Sequence, residues 1–292
     1  MNQKNLIRKV KLLSSIFVKS KKAITARLLE SDDYTVLEKE RILREIDEEL
    51  NNLADKSSSW FRNNLKGAYK EGSSDIVGYL KSIGVTQMVY TPYDEQVVQN
   101  IIDNATVGMQ DAISGLKRST SSILKKTTQE KLKAIIADGK VSSETLRGIK
   151  ADLVDYISKR GITLKDGAGR QWTPEAYAEM MARTESMNTY NQGAINQMLY
   201  RDLDLAYITS YASCQCDICQ QWEGKVVSLT GKTPGFPTLD DAYAEGMFHP
   251  NCKHRLRPYK EEVRARAETN TEDMMKEIFE TQRKGMQSMG WK

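Results

Sequence analysis

All four cysteines and both histidines of this 292-residue chain lie between residues 214 and 254, in the order Cys214, Cys216, Cys219, His249, Cys252, His254. Cys216-Asp-Ile-Cys219 and His249-Pro-Asn-Cys252 each place two soft donors three positions apart, a spacing that directs both at one point on a tight turn. Four such donors from two stretches of backbone fill a tetrahedral sphere, so the spacing predicts one structural zinc held by Cys216, Cys219, His249 and Cys252. A filled sphere leaves no seat for a reacting water. Residues 220 to 248 then form a small subdomain tied at its base, and metal-binding free energy counts as folding free energy.

Spacing alone leaves alternatives open. Cys216 and Cys219 would also suit a redox pair, although that motif belongs between a strand and a helix in a βαβ setting. Reduced thiols without a metal, or disulfides, are a third reading. Cys214 and His254 flank the two pairs, and either could replace a neighbouring ligand.

The rest of the composition is that of a soluble protein. Hydrophobic residues make up 39% and charged residues 28%, mean hydropathy is −0.56, and no apolar run approaches the roughly 18 residues that span a bilayer. Leu12 to Val18 follows several lysines and arginines like the start of a signal peptide. Ser14 and Ser15 interrupt it, Lys19, Lys21 and Lys22 follow, and no small-residue cleavage pattern appears, so a cytosolic product with no membrane partner is expected. A net charge of +4 is too mild to declare a nucleic-acid binder. The basic stretch of residues 1–30 next to the acidic residues 31–55 reads first as two solvated, oppositely charged helix faces.

Residues 1–160 read as successive amphipathic helices. Leu6, Val10, Leu13 and Phe17 form one apolar stripe and Leu43, Ile46, Leu50 and Leu53 another. Asp55 to Ser59 looks like a break, Gly84 and Thr91-Pro92 mark a boundary, and Val97, Ile101 and Ala105 begin a further long helix. Residues 128–158 have the outline of a helix-turn-helix, whose second helix carries Glu144, Asp152 and Asp155 and is a poor surface for a phosphate backbone. Texture changes at Gly161: a hairpin around Lys165–Gly169, then Thr173-Pro174 opening a helix to about Tyr200, then β-rich runs at Leu205–Ser210 and Lys225–Leu229. The expected fold is α+β and predominantly α. An extended helical half, 1–160, precedes a small α+β domain, 161–260, with a zinc-knuckle-like cluster, and 261–292 form a Met-rich helical tail.

Catalytic motifs fail on inspection. Gly231-Lys232-Thr233 lacks the earlier glycine of a phosphate loop, with Val226 in its place, and Gly167 and Gly169 are followed by Trp172 where a dinucleotide fingerprint needs glycine. Neither H-E-x-x-H nor the H-x-E of zinc deaminases occurs. No catalytic residues and no organic cofactor site are expected.

Three blocks, Trp172 to Glu185 with Arg183-Thr184-Glu185, Cys216 to Leu229, and Gly246 to Tyr259 with His249-Pro250-Asn251-Cys252, arrive in the order found in the tailed-phage minor capsid protein 2 family, which this chain resembles. It is similar, more loosely, to the Mu F-like head morphogenesis proteins. The resemblance covers roughly residues 160–260. It implies a structural virion protein of a tailed phage or prophage head, assembled in the bacterial cytoplasm and acting at or near the portal vertex in head assembly and genome packaging or delivery. The portal protein, major capsid or scaffold proteins and packaged double-stranded DNA are its implied partners. Arg183 and Glu185 come with the resemblance as a secondary polar block. A metal-dependent nuclease or transferase carried in the head, using Arg183, Glu185 and Glu223, is the alternative.

Overall fold

The computed structural model describes residues 3–30, 35–138, 151, 162–166, 169–210 and 216–265. Apart from residues 151 and 261–265, the second helix of the expected helix-turn-helix and the Met-rich tail lie outside these residues, as does Cys214. Four long helices carry most of the described residues: α1 (Gln3–Glu30), α2 (Val36–Tyr79), α3 (Pro92–Asp138) and α4 (Pro174–Leu199). The hairpin pairs β1 (Leu164–Lys165) with β2 (Gln171–Trp172). A three-stranded antiparallel sheet has β3 (Leu205–Ile208) between β4 (Val226–Ser228) and β5 (Leu256–Pro258). Two short helices, α5 (Asp217–Trp222) and α6 (Leu239–Ala244), and a 3-10 turn (Leu80–Ile83) complete the elements among the described residues. The fold is predominantly α with a small α+β part. Among the described residues no helix is long and apolar enough to cross a membrane.

The chain forms two compact units. One is built from Lys66–Val98 and the described residues from Met187 onward, the other from described residues of 2–65 and 99–186. Neither is a single continuous stretch of sequence.

In the second of these units the α1 stripe of Leu6, Val10, Leu13 and Phe17 is buried, as its spacing predicts, and it continues to Ile24 and Leu28. Ile46, Leu50 and Leu53 of the expected α2 stripe are buried with Ile42, which takes the place of the half-buried Leu43, and Trp60 Nε1 donates to the Lys9 carbonyl at 3.0 Å. The expected break at Asp55–Ser59 is absent, because α2 runs through it. Ser57 Oγ bonds back to the Leu53 carbonyl at 2.7 Å and Ser58 Oγ to that of Ala54 at 2.9 Å, so hydroxyls that compete with the helix elsewhere are satisfied within it. In the part of α3 that belongs to this unit Ile102 and Ala105 begin a buried stripe that continues through Met109, Ala112 and Leu116, and Ile101 lies at its edge. Surface ion pairs such as Lys117–Asp47 at 2.7 Å and Lys21–Glu175 at 3.0 Å contribute at most about 1 kcal/mol each.

In the other unit, α4 crosses the end of α2 at very short range. A methyl group at Gly72 would fall inside the contact distance of the Tyr190 carbonyl oxygen, and one at Gly193 would collide with that of Tyr69. Only glycine permits this approach at both positions. Ser73 Oγ donates to the Gly193 carbonyl at 3.2 Å. Ile76 and Leu80 pack with Ala194 and Met198 from α4, Ala206 and Ile208 from β3, and Cys219, Trp222, Met247, Cys252 and Leu256, in one buried cluster.

The same unit buries a polar knot on Asp94, in the first turn of α3. Its carboxylate accepts from Tyr69 Oη, from the Thr91 N–H at 2.7 Å and Oγ1 at 2.8 Å, from Asn196 Nδ2 at 3.1 Å and from Tyr200 Oη at 2.8 Å. Burial pushes the Asp94 carboxyl up, but these hydrogen bonds outweigh it and hold the group down at about 2. The unfolded value is near 3.9, so the contribution, roughly 2 kcal/mol, is complete above the unfolded value and disappears as pH falls through the folded one. Denaturant titrations of Asp94→Asn against the parent chain are expected to differ by a constant amount above about pH 5, with the gap closing towards pH 2. A gap that does not change with pH would contradict this assignment.

Candidate metal centre

The ligand-bearing segments are set by local chain geometry. Cys216 caps α5, with its carbonyl accepting from Gln220 N–H at 3.0 Å. Cys219 follows one turn later, and Glu223 ends the helix by donating its N–H to the Cys219 carbonyl at 3.0 Å. Cys219 and Glu223 are thus neighbours on one helix face, four positions apart. Beneath them Trp222 is buried and its Nε1 donates to Glu245 Oε2 at 2.9 Å.

The second segment follows α6. Thr238 and Asp241 form a reciprocal capping box at its start, a motif that satisfies two orphan helix donors at once. Phe248 and Asn251 both take left-handed backbone, at φ 60° and 68°. Asparagine tolerates that region and phenylalanine is strained there. The buried Phe248 ring, 5.3 Å from that of Tyr243, holds it in place. The turn between them presents His249 and closes with the Cys252 N–H donating to the His249 carbonyl at 2.9 Å.

These segments bring five donors together as two triads that share Cys219: Cys216, Cys219 and His249 in one, Cys219, Cys252 and His254 in the other, all donors of a triad lying within 4.8 Å of one another. Cys219 Sγ is 3.1 Å from His249 Nε2 and 4.0 Å from Cys252 Sγ, and Cys252 Sγ is 3.2 Å from His254 Nδ1. Zinc bond lengths of about 2.0 to 2.3 Å imply donor separations of roughly 3.5 to 3.8 Å, and these distances within the triads lie within about half an ångström of that range. Cys216, Cys219 and Cys252 are all free of disulfides. The group could hold a metal ion. His254 stands among the donors beside the four residues the spacing selects.

Electrostatics favour a cation here. Burial, then the Cys252 and Cys216 sulfurs, push the Cys219 thiol well above its ordinary range, as crowding of incipient thiolates must. Burial also raises Cys252, but its hydrogen bonds with the His254 side chain and backbone win and lower it. The hydrogen bond to Cys252 raises His254; burial opposes this and Glu223 adds to it. A bound divalent cation would relieve the crowding by stabilising the thiolates.

Glu223, named from sequence only for the enzymatic alternative, sits 2.6 Å from His254 Nε2. Arg183 and Glu185 lie in α4 within the other compact unit, where burial pushes the Glu185 carboxyl up to about 6. The partnership of Glu223 with His254 spans 31 residues and has no local signature, apart from the one-turn spacing of Glu223 from Cys219.

A "Structural protein" of Lactococcus phage LL-H is 30% identical over 122 residues, covering 38% of this chain and 33% of the phage protein, so the alignment spans about a third of that relative. No solved structure matches. Residues 34–288, which take in the helical region as well as the cluster, match the family described as phage minor capsid protein 2, and the chain belongs to that family.

Proposed function

We propose that this chain is a structural component of a tailed-phage head, acting at or near the portal vertex in head assembly and genome packaging or delivery. The family match over residues 34–288 carries this reading, and the phage relative's description as a structural protein supports it. Its partners would be the portal protein, major capsid or scaffold proteins and packaged DNA, and its location the virion. The cluster would be a structural zinc site, with Cys216, Cys219, His249 and Cys252 as the ligands that spacing selects. Its thiolate-rich donor set suits zinc, and a filled sphere holds backbone in place and performs no turnover.

Two measurements test the two parts. Metal analysis of the purified chain is expected to give one zinc per molecule, and zinc-free folded protein would remove the metal. Symmetry-free imaging of heads assembled with and without the chain is expected to show density lost at a single vertex. An unchanged vertex would remove the portal role.

A further inference from the structure

The imidazole that spacing selects is His249, but the structure offers a better placed one. His254 is 3% exposed and His249 half-buried. Its Nε2 lies 2.6 Å from Glu223 Oε1 and its Nδ1 3.2 Å from Cys252 Sγ. A neutral imidazole carries one N–H and one lone pair, and a carboxylate can only accept. Glu223 therefore fixes the proton on Nε2, and the Nδ1 lone pair faces the sulfurs. Histidines that bind metals are held in this manner, by an acceptor on the nitrogen away from the ion. The backbone is fixed as well: Asn191 Nδ2 donates to the His254 carbonyl at 3.1 Å and Asn191 Oδ1 accepts from Leu256 N–H at 3.3 Å. His249 is oriented in the same sense but by a neutral acceptor on a less buried ring: its Nδ1 lies 2.8 Å from the adjacent Pro250 carbonyl and its Nε2 3.1 Å from Cys219 Sγ, whereas an ionised carboxylate is the stronger partner.

Cys252, His254 and Glu223 would in another setting resemble a thiol nucleophile with its base and orienting carboxylate. Here Cys252 is itself buried, and Cys219 Sγ lies 4.0 Å away. A second sulfur at that place suits a shared cation and leaves little room for a substrate.

We propose that His254, positioned by Glu223, is the imidazole ligand of the metal, with Cys219 and Cys252 of its own triad and Cys216, which the other triad links to Cys219, as the thiolates and His249 outside the sphere. This rests on the reading of the cluster as a metal site. Because the chain has only two histidines, the full-length protein loaded with 113Cd and labelled with 15N-histidine gives a direct answer. Scalar coupling from cadmium to His254 Nδ1 alone, assigned with His249→Ala, is the expected result. Coupling to His249 Nε2, alone or together with His254, overturns the proposal and leaves the metal site standing. Failure to take up cadmium or zinc removes both. In parallel, His249→Ala should bind zinc within about threefold of the parent chain. Glu223→Ala should weaken binding by 10- to 100-fold, as loss of such an orienting partner does. Glu223→Gln, which retains an acceptor oxygen, should recover part of that loss. Unchanged affinity in Glu223→Ala would refute the positioning role.

Discussion

On the proposed zinc site, treatment with a strong chelator, or replacing Cys219 by serine, is expected to cost this protein at least about 5 kcal/mol of stability. Apparent zinc-binding free energies of small folded sites run to about 10–16 kcal/mol, comparable with the whole stability of a domain, about 5–15 kcal/mol. Cys219 is the residue to change because both donor triads contain it, so the outcome is the same whichever histidine completes the sphere. At roughly 2–4 °C per kcal/mol for a domain of this size, melting should fall by about 10 °C or more. The loss should also show in the near-ultraviolet dichroism of Trp222, which packs in the same buried cluster as Cys219 and Cys252. Identical melting of treated and untreated protein would show that the sulfurs pack without an ion.

The second large effect concerns a position with no chemistry at all. Alanine is the better helix former by about 1 kcal/mol, so Gly193→Ala in α4 would be stabilising if propensity decided. The obstacle is the Tyr69 backbone carbonyl, which, unlike the tip of a side chain, moves only if the helix moves. Overpacking of this kind costs about 3 kcal/mol or more. The Ser73 bond to the Gly193 carbonyl at 3.2 Å and the links of Asn196 to Tyr69 and Asp94 would be strained with it. Chemical denaturation should therefore show a lower midpoint for Gly193→Ala. A raised midpoint would mean that the helices part at little cost.

What the sequence discloses here follows from how local each signal is. The stripe of α1, the proline that opens α4 and the hairpin before it depend on residues a few positions apart, and they were legible. Asp55–Ser59 misled because serines in a helix look the same on paper whether or not their hydroxyls bond back to the preceding turn. Strand β5 escaped notice because Leu256-Arg257-Pro258 is three residues long and holds a proline. The start of α6 did carry a signal, Thr238 with Asp241 three positions on. For the cluster, spacing picked out Cys216, Cys219, His249 and Cys252, which the fold distributes over two triads sharing Cys219. It could not rank His249 against His254, because the groups that hold His254, Asn191 and Glu223, come from distant stretches of chain.

Ile76 and Leu80 share one buried cluster with Cys219 and Cys252, although some 140 residues separate the two pairs in the sequence. A fragment cut to begin near residue 161 would keep every cysteine and histidine and still be missing one wall of its interior. During synthesis that wall leaves the ribosome long before the donors do, and must wait for them with its apolar side chains uncovered.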